Sequence, residues 1–153
     1  MVARERGAMY KRILIATDGS ELAAKAVSTG LALAKALNAQ VVAVTATEPW
    51  MAMTDGSAFA FNFPIEEYEK VAAERAKEIL SKVQADAQTL ALACETVHVN
   101  DFPAEAILAT AKAKDCDLIV MASHGRRGVA RLLLGSQAVE VLTLSTVPVL
   151  VCR

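Results

Sequence analysis

Short apolar runs recur along the chain, and polar turns or longer helical patterns separate them. Apolar runs cover residues 13–16, 41–46, 118–122 and 147–152, and residues 94–99 alternate weakly between apolar and polar positions. A continuous apolar run without a 3.6-residue period is typical of a parallel strand that is buried on both faces. The weak alternation over residues 94–99 predicts a strand nearer the sheet edge.

Longer segments between these runs carry apolar residues at spacings of three and four, which predicts amphipathic helices. These segments are residues 22–37, 64–90, 104–114 and 136–144. Strands that alternate with helices predict an α/β fold, here a five-stranded, doubly wound parallel sheet with helices on both faces. We expect a single domain over residues 10–153, preceded by a disordered leader over residues 1–9.

Residues 49–63 interrupt this alternation with a long connector that contains Trp50, Phe59, Phe61 and Phe63. Loops of this length in compact domains are usually functional lids or disordered segments. One interpretation is a lid that packs over a ligand. The other is that the aromatic side chains cover the sheet edge or a subunit interface, and the sequence favours neither.

Polar residues follow two of the predicted strands at the point where each strand ends. Thr17-Asp18-Gly19-Ser20 follows the first strand, and Ser123-His124-Gly125 follows the strand over residues 118–122. Ligands of doubly wound sheets sit at the carboxyl ends of strands where the winding direction reverses. We therefore expect the two turns to face one crevice.

The second turn continues into a glycine-bearing segment with Arg126 and Arg127, and it ends where Ser136 starts a predicted helix. Glycines let backbone amides approach a ligand closely, and a helix N-terminus favours anions. The segment therefore suggests a phosphate site. Glycines also occur in ordinary strand-to-helix turns, and arginines in loops are often only solvated, so a purely structural turn is the alternative.

The composition does not indicate a nucleic-acid or membrane-surface partner, because 16 lysines and arginines stand against 17 acidic residues in 153. The three cysteines are widely spaced and lie in or beside apolar runs, as is typical of buried thiols in a reducing compartment. No run approaches the roughly 20 apolar residues of a membrane span. We expect a soluble, cytoplasmic protein.

From about residue 10 to residue 153, the chain resembles the universal stress protein family. Four motifs carry the resemblance: Thr17-Asp-Gly-Ser20, Met121-Ala-Ser-His-Gly125, Leu133-Leu-Gly-Ser136 and Pro148-Val-Leu-Val151. The ATP-binding members of the family carry Gly-x2-Gly-x9-Gly followed by Ser or Thr.

This glycine pattern is nearly complete in the sequence. Its second glycine matches Gly125, its spacer is residues 126–134, and its end is Gly135-Ser136. The first position is Ala122, at a predicted strand end where ordinary backbone dihedrals should serve.

The resemblance implies an adenine-nucleotide alpha-hydrolase-like fold that binds ATP together with Mg²⁺. It implies that Thr17 and Asp18 face the adenine and ribose, that the backbone of Ala46 contacts the base, and that the glycine segment wraps the phosphates. The full set of implied nucleotide-contacting residues is Ala16, Thr17, Asp18, Ala46, Met121, Ala122, His124, Gly125, Arg126, Arg127, Gly128, Gly135, Ser136 and Gln137. We expect no metal ligand from the protein and no catalytic residue.

The leading hypothesis is an ATP-binding regulatory module of the stress response that changes state when nucleotide binds. The alternatives are a nucleotide-free dimeric interaction protein of the same fold and a slow ATP hydrolase. Ser123 beside His124 suggests a nucleophile and its base, but adjacent residues on a strand end are expected to point in different directions, and no orienting acid is evident. The apolar edge strand over residues 147–152 predicts a homodimer in which the two edge strands pair.

Overall fold

The computed structural model describes residues 9–53, 64–125 and 134–153. Residues 1–8 of the expected leader, residues 54–63 of the connector and residues 126–133 lie outside the described residues. The last group includes Arg126 and Arg127 as well as Gly128, all of which belong to the nucleotide site that the resemblance implies.

The described residues form one parallel sheet with helices on both faces. The strands are β1 (Arg12–Ala16), β2 (Gln40–Thr47), β3 (Cys94–Asn100), β4 (Leu118–Ala122) and β5 (Val149–Cys152). The helices are α1 (Glu21–Leu37), α2 (Trp50–Met53), α3 (Ile65–Thr89), α4 (Pro103–Ala113) and α5 (Ser136–Leu144). The strand order is β3-β2-β1-β4-β5, and every neighbouring pair is parallel. The predicted five-stranded, doubly wound α/β fold is confirmed.

The central strand β1 is buried on both faces from Ile13 to Ala16, which explains the unbroken apolar sequence of these residues. Successive side chains of a strand point to opposite faces of the sheet. Ile13 and Ile15 pack in the core cluster that α1 and α3 cover, whereas Leu14 and Ala16 pack in the cluster that α4 and α5 cover. The two layers of helices therefore need apolar residues at every position from Ile13 to Ala16.

The residues that flank α1 explain where this helix begins and ends. Gly19 has a φ of 77°, in the left-handed region that glycine adopts without strain. Ser20 is the N-cap of α1, and its hydroxyl accepts a hydrogen bond from Ala23 N at 3.2 Å. Asn38 closes the helix with a left-handed φ of 54°. The helix thus runs over the predicted segment 22–37, with Ser20 as its N-cap and Asn38 at its C-terminal end.

The last strand starts later than the sequence predicts. β5 begins at Val149, so residues 147 and 148 of the predicted strand over residues 147–152 are not part of it. Pro148 has no N–H to donate to the ladder, although its carbonyl accepts from Ile119 N at 3.0 Å. Val147 N donates to Ser145 Oγ at 3.2 Å, so a local turn occupies the backbone that precedes β5.

The connector over residues 49–63 is predicted as a loop, yet it opens with the short helix α2. The Trp50 ring lies 4.9 Å from the Tyr68 ring, centroid to centroid, and this contact fixes the start of α2 against α3. Because this contact joins residues that are far apart in sequence, the sequence around Trp50 alone does not predict the helix.

The cysteines are free thiols. Cys116 is buried as predicted, and desolvation by burial raises the pKa of its thiol to about 11. Cys94 and Cys152 are only half-buried. None of the helices within the described ranges is both long enough and apolar enough to cross a membrane.

Helix α1 packs tightly against β1 at Gly30, and this contact yields a stability prediction. A Cβ added there would lie 2.6 Å from Ile15 Cδ1 and 2.8 Å from Ile15 Cγ1, and Ile15 is fully buried. Overpacking costs about 1–3 kcal/mol, and alanine's higher helix propensity offsets up to about 1 kcal/mol of it. We expect Gly30→Ala to lower the free energy of unfolding by about 1–2 kcal/mol in urea titrations.

The control is Ser28→Ala, at an exposed position of the same helix, which should change stability by about 0.5 kcal/mol or less. Equal stabilities of Gly30→Ala and Ser28→Ala would contradict the tight packing at Gly30.

Candidate functional site

A crevice of about 850 Å³ opens at the carboxyl ends of the strands, where the winding reverses between the neighbours β1 and β4. Helices α3, α4 and α5 contribute its outer walls. The nucleotide-contacting residues implied by the resemblance and described by the structure all line it: Ala16, Thr17, Asp18, Ala46, Met121, Ala122, His124, Gly125, Gly135, Ser136 and Gln137. The two polar turns therefore face one crevice, as expected from the fold.

Hydrogen bonds within the turn hold the first polar turn rigid. Thr17 Oγ1 accepts from Gly19 N at 3.1 Å, and Asp18 Oδ1 accepts from Ser20 N at 2.9 Å. The second carboxylate oxygen, Asp18 Oδ2, lies 3.1 Å from the position that a Cβ on Gly125 would occupy. Asp18 thus reaches from the end of β1 to the turn after β4, and a side chain at position 125 would crowd it.

The backbone of Ala46 faces the crevice because β1 ends before β2 does. The last bond between these strands runs from Thr17 N to Val44 O at 3.0 Å. Successive residues of a parallel strand direct their N–H and C=O groups to alternate neighbours, and Thr47 O accepts from Asp101 N on the β3 side. The N–H and C=O of Ala46 therefore point to the side from which β1 has departed.

Helix α5 starts at Ser136 with Gly135 as its N-cap, and no side chain among the described residues caps it. The first amides of an α-helix have no acceptor within the helix, so they favour an anion. Ser136 is exposed at this helix start. The predicted start of the helix and its open N-terminus agree with the structure.

Close approach of the backbone, rather than unusual dihedrals, favours glycine at position 135. Gly135 has a φ of −70°, which any residue adopts, and its N–H donates to Ser123 O at 2.7 Å. An added Cβ would lie 3.1 Å from that same carbonyl oxygen and 3.5 Å from His124 Cα. The turn after β4 and the start of α5 therefore touch through their backbones.

Ala122 is the last residue of β4 and pairs with Cys152 of β5. It is not among the described residues with a positive φ. The expectation that ordinary dihedrals serve at this position of the glycine pattern is confirmed.

Gln137 lines the crevice, but its side chain also supports the fold. Its Oε1 accepts from Ala104 N at 2.8 Å, which satisfies a backbone donor at the start of α4. This bond joins α4 to α5 across the crevice wall. The side-chain oxygen is thus engaged, and the backbone N–H of Gln137 is the group that the helix N-terminus offers to a ligand.

The side chains of Ser123 and His124 do not point apart, and that expectation is wrong. Ser123 Oγ lies 3.0 Å from His124 Nδ1. The pair lies just beyond the last residue of β4, where the alternation of a strand no longer separates neighbours. Ser123 is only 2% exposed, and within the described ranges no carboxylate bonds to the imidazole. The pair lacks the access and the orienting acid that a nucleophile and base need.

Sequence reasoning missed the wall that α3 contributes. Tyr68, Arg75 and Ile79 lie on one face of α3 and line the crevice, and Phe102 lines it opposite them. The Tyr68 hydroxyl donates to Glu48 O at 2.8 Å. The spacing of apolar residues in α3 predicts a face that packs on the sheet. The same spacing does not reveal that α3 extends beyond the ends of the strands, where it lines the crevice.

Comparison with known proteins identifies relatives over nearly the whole chain. The model of the universal stress protein family matches residues 9–153. Universal stress protein YxiE of Bacillus subtilis is 32% identical over 148 residues, which cover 95% of this chain and 100% of the relative. A universal stress protein of Thermus aquaticus, encoded in the QAH/OAS sulfhydrylase 3' region, is 35% identical over 147 residues, with 95% and 100% coverage.

Solved structures share the fold. Universal stress protein UspA from Lactobacillus plantarum superposes with a TM-score of 0.84 at 24% identity and covers 96% of this chain and 100% of its own. A universal stress protein in complex with cAMP superposes with a TM-score of 0.67 at 25% identity, with 93% and 95% coverage.

Proposed function

The chain belongs to the universal stress protein family, and on that premise we propose that it binds ATP with Mg²⁺ in the crevice at the ends of β1, β2 and β4. Nucleotide binding would change the state of a regulatory module rather than start a reaction. The relative in complex with cAMP supports an adenine nucleotide as the ligand class.

The backbone of Ala46 is the observation that carries this proposal. Its N–H and C=O both face the crevice beyond the end of β1. The Watson–Crick edge of adenine offers an acceptor, N1, beside a donor, the N6 amino group, so the two hydrogen bonds are complementary. Guanine has the reverse arrangement, a donor at N1 and an acceptor at O6. In the same orientation its N1–H would face the N–H of Ala46, and its O6 would face the C=O. The crevice therefore favours adenine over guanine.

The phosphate half of the site would be the open N-terminus of α5 together with the turn after β4. Triphosphate charge is costly to desolvate unless several donors meet it. The amides at the start of α5 supply such donors, and Gly125 and Gly135 keep side chains out of the space before them. Arg126 or Arg127, outside the described residues, would add a guanidinium.

The Mg²⁺ ion would be held by the nucleotide. Among the described residues, no group of three or more His, Cys, Asp or Glu side chains could hold a metal ion. Mg²⁺ commonly binds through substrate phosphates while it retains several waters, and bound in this way it would neutralise phosphate charge. Asp18 is the acidic residue that bridges the β1 and β4 turns, so its carboxylate would face the nucleotide rather than form a separate metal site.

A dimer is the second part of the proposal. β5 is a sheet edge, and Leu150 on it is 37% exposed. Val139, Leu142 and Leu144 of α5, the helix that packs on the other face of β5, are exposed as well. Exposed apolar edges tend to pair with another chain. We place the contact at Val149–Cys152 and the neighbouring face of α5, with the downstream partner protein unassigned.

The first prediction concerns base selectivity. Calorimetric titration of nucleotide-free protein should show that Mg-GTP binds at least tenfold more weakly than Mg-ATP, a difference of about 1.4 kcal/mol or more. Equal affinities would contradict the role of the Ala46 backbone. The absence of heat with either nucleotide would favour the nucleotide-free interaction protein instead.

A second prediction concerns the phosphate half. Gly135→Val should weaken Mg-ATP binding at least tenfold, about 1.4 kcal/mol, because the branched side chain would push the start of α5 away from Ser123 O. Ser136→Ala should cost only about 1 kcal/mol, since one hydroxyl is lost and the amides remain. Isotherms for the two variants that coincide with the wild-type isotherm would rule out this placement of the phosphates.

A third prediction concerns the dimer. In sedimentation at micromolar concentration the wild type should be a dimer, and Leu150→Glu should be a monomer because it places a charge on the paired edge. The control is Ile65→Glu, which adds the same charge at an exposed site of α3 and should stay dimeric. A monomeric wild type would refute the pairing of β5 edges.

A further inference from the structure

One polar atom of the crevice wall has no partner among the described residues. His124 Nε2 is buried, and no hydrogen bond satisfies it in the described part of the chain. A buried polar atom that is left unsatisfied destabilises the protein, because it has lost its hydrogen bonds to water. A ligand that supplies the missing partner would remove this destabilisation.

The bond between Ser123 and His124 links the missing partner to the tautomer of the ring. Its hydroxyl lies 3.0 Å from His124 Nδ1, so a neutral ring uses Nδ1 to bond the serine. A neutral imidazole has one nitrogen that donates and one that accepts. If the serine hydroxyl donates to Nδ1, the ring proton must be on Nε2, and Nε2–H then needs an acceptor.

The backbone holds this serine in place from two directions. Ser123 N donates to Cys152 O at 2.7 Å, at the end of β5, and Ser123 O accepts from Gly135 N at 2.7 Å, at the start of α5. Ser123 is 2% exposed. The backbone that carries the hydroxyl is therefore fixed relative to both the sheet and α5. The hydroxyl in turn orients the imidazole of His124 through the bond to Nδ1.

The ring lies beside the open end of α5. His124 Cδ2, the atom bonded to Nε2, lies 3.7 Å from the position that a Cβ on Gly135 would occupy. Gly135 is the N-cap of α5, so the unsatisfied nitrogen is next to the helix amides that have no intrahelical acceptor. With the ring proton on Nε2, both features lack the same kind of group, an acceptor, and a phosphoryl oxygen is the acceptor that a helix N-terminus favours.

We propose that Ser123 is a positioning residue whose hydroxyl donates to His124 Nδ1, so that His124 Nε2–H donates to a phosphoryl oxygen of the bound nucleotide. The proposal rests on the proposed function and adds that recognition by this pair depends on phosphate. The base contacts at Ala46 involve no atom of the pair, so adenosine binds without its help.

The test compares Mg-ATP with adenosine by calorimetry on three variants. His124→Ala should weaken Mg-ATP binding about tenfold and Ser123→Ala about threefold or more, because a donor is lost or left unoriented. Both should bind adenosine as the wild type does. Ser28→Ala, on the exposed face of α1, is the matched serine control and should change neither affinity.

A second measurement reports the tautomer and does not depend on the stability of any variant. Nitrogen-15 NMR of the two imidazole rings should show His124 protonated at Nε2 in the wild type, with and without Mg-ATP. In Ser123→Ala this preference should be lost. A wild-type ring protonated only at Nδ1 would overturn the proposal even if Ser123→Ala fails to fold.

The outcomes separate this proposal from the proposed function. Wild-type binding of Mg-ATP with unchanged affinity in both variants would overturn the role of the pair and leave the nucleotide site standing. Equal losses for Mg-ATP and adenosine would show a general structural effect and would also overturn it. Failure of the wild type to bind either ligand would overturn the proposed function itself, and the proposal with it.

Discussion

Strand β1 ends at Ala16, while its neighbour β2 continues to Thr47, and the crevice depends on this difference in length. Where β1 leaves the sheet, the backbone of β2 loses its ladder partner on one side. A backbone donor and acceptor cannot be left unsatisfied in a dry interior without cost, so this region must stay open to water or to a ligand. The turn that carries Thr17 and Asp18 leaves the sheet at this point and forms one edge of the opening.

The opposite edge depends on an equally close contact between backbones. Ser123 bonds to the end of β5 and to the N-cap of α5 through its N–H and C=O. Gly135 permits this because it has no side chain to keep the two segments apart. The half of the crevice proposed to hold the base is thus defined by a strand that stops early, and the half proposed to hold the phosphates by a helix that starts against a strand end.

The sequence predicts the sheet well because burial on both faces requires apolar residues from Ile13 to Ala16 of β1 and at every position of β4. It also locates the crevice, since parallel strands place their polar ends on one edge. It does not predict the hydrogen bond between Ser123 and His124. Adjacent side chains point to opposite faces only within a strand, and β4 ends at Ala122. The wall from α3, the short helix α2 and the bond from Ala104 to Gln137 all depend on how distant segments meet. Residue spacing within one segment does not predict contacts between distant segments. The preference for glycine at position 135 also depends on such a contact, because Gly135 packs against the backbone of Ser123 and His124.

The contact between Trp50 and Tyr68 gives the molecule an intrinsic optical reporter. Trp50 is the chain's single tryptophan, its ring lies 4.9 Å from Tyr68, and Tyr68 is itself a wall of the crevice. Indole emission responds to the polarity and the quenching groups around the ring. All tryptophan emission comes from this one ring, which contacts a residue that lines the crevice. Binding of a ligand against Tyr68 would therefore be open to detection by fluorescence without an attached dye.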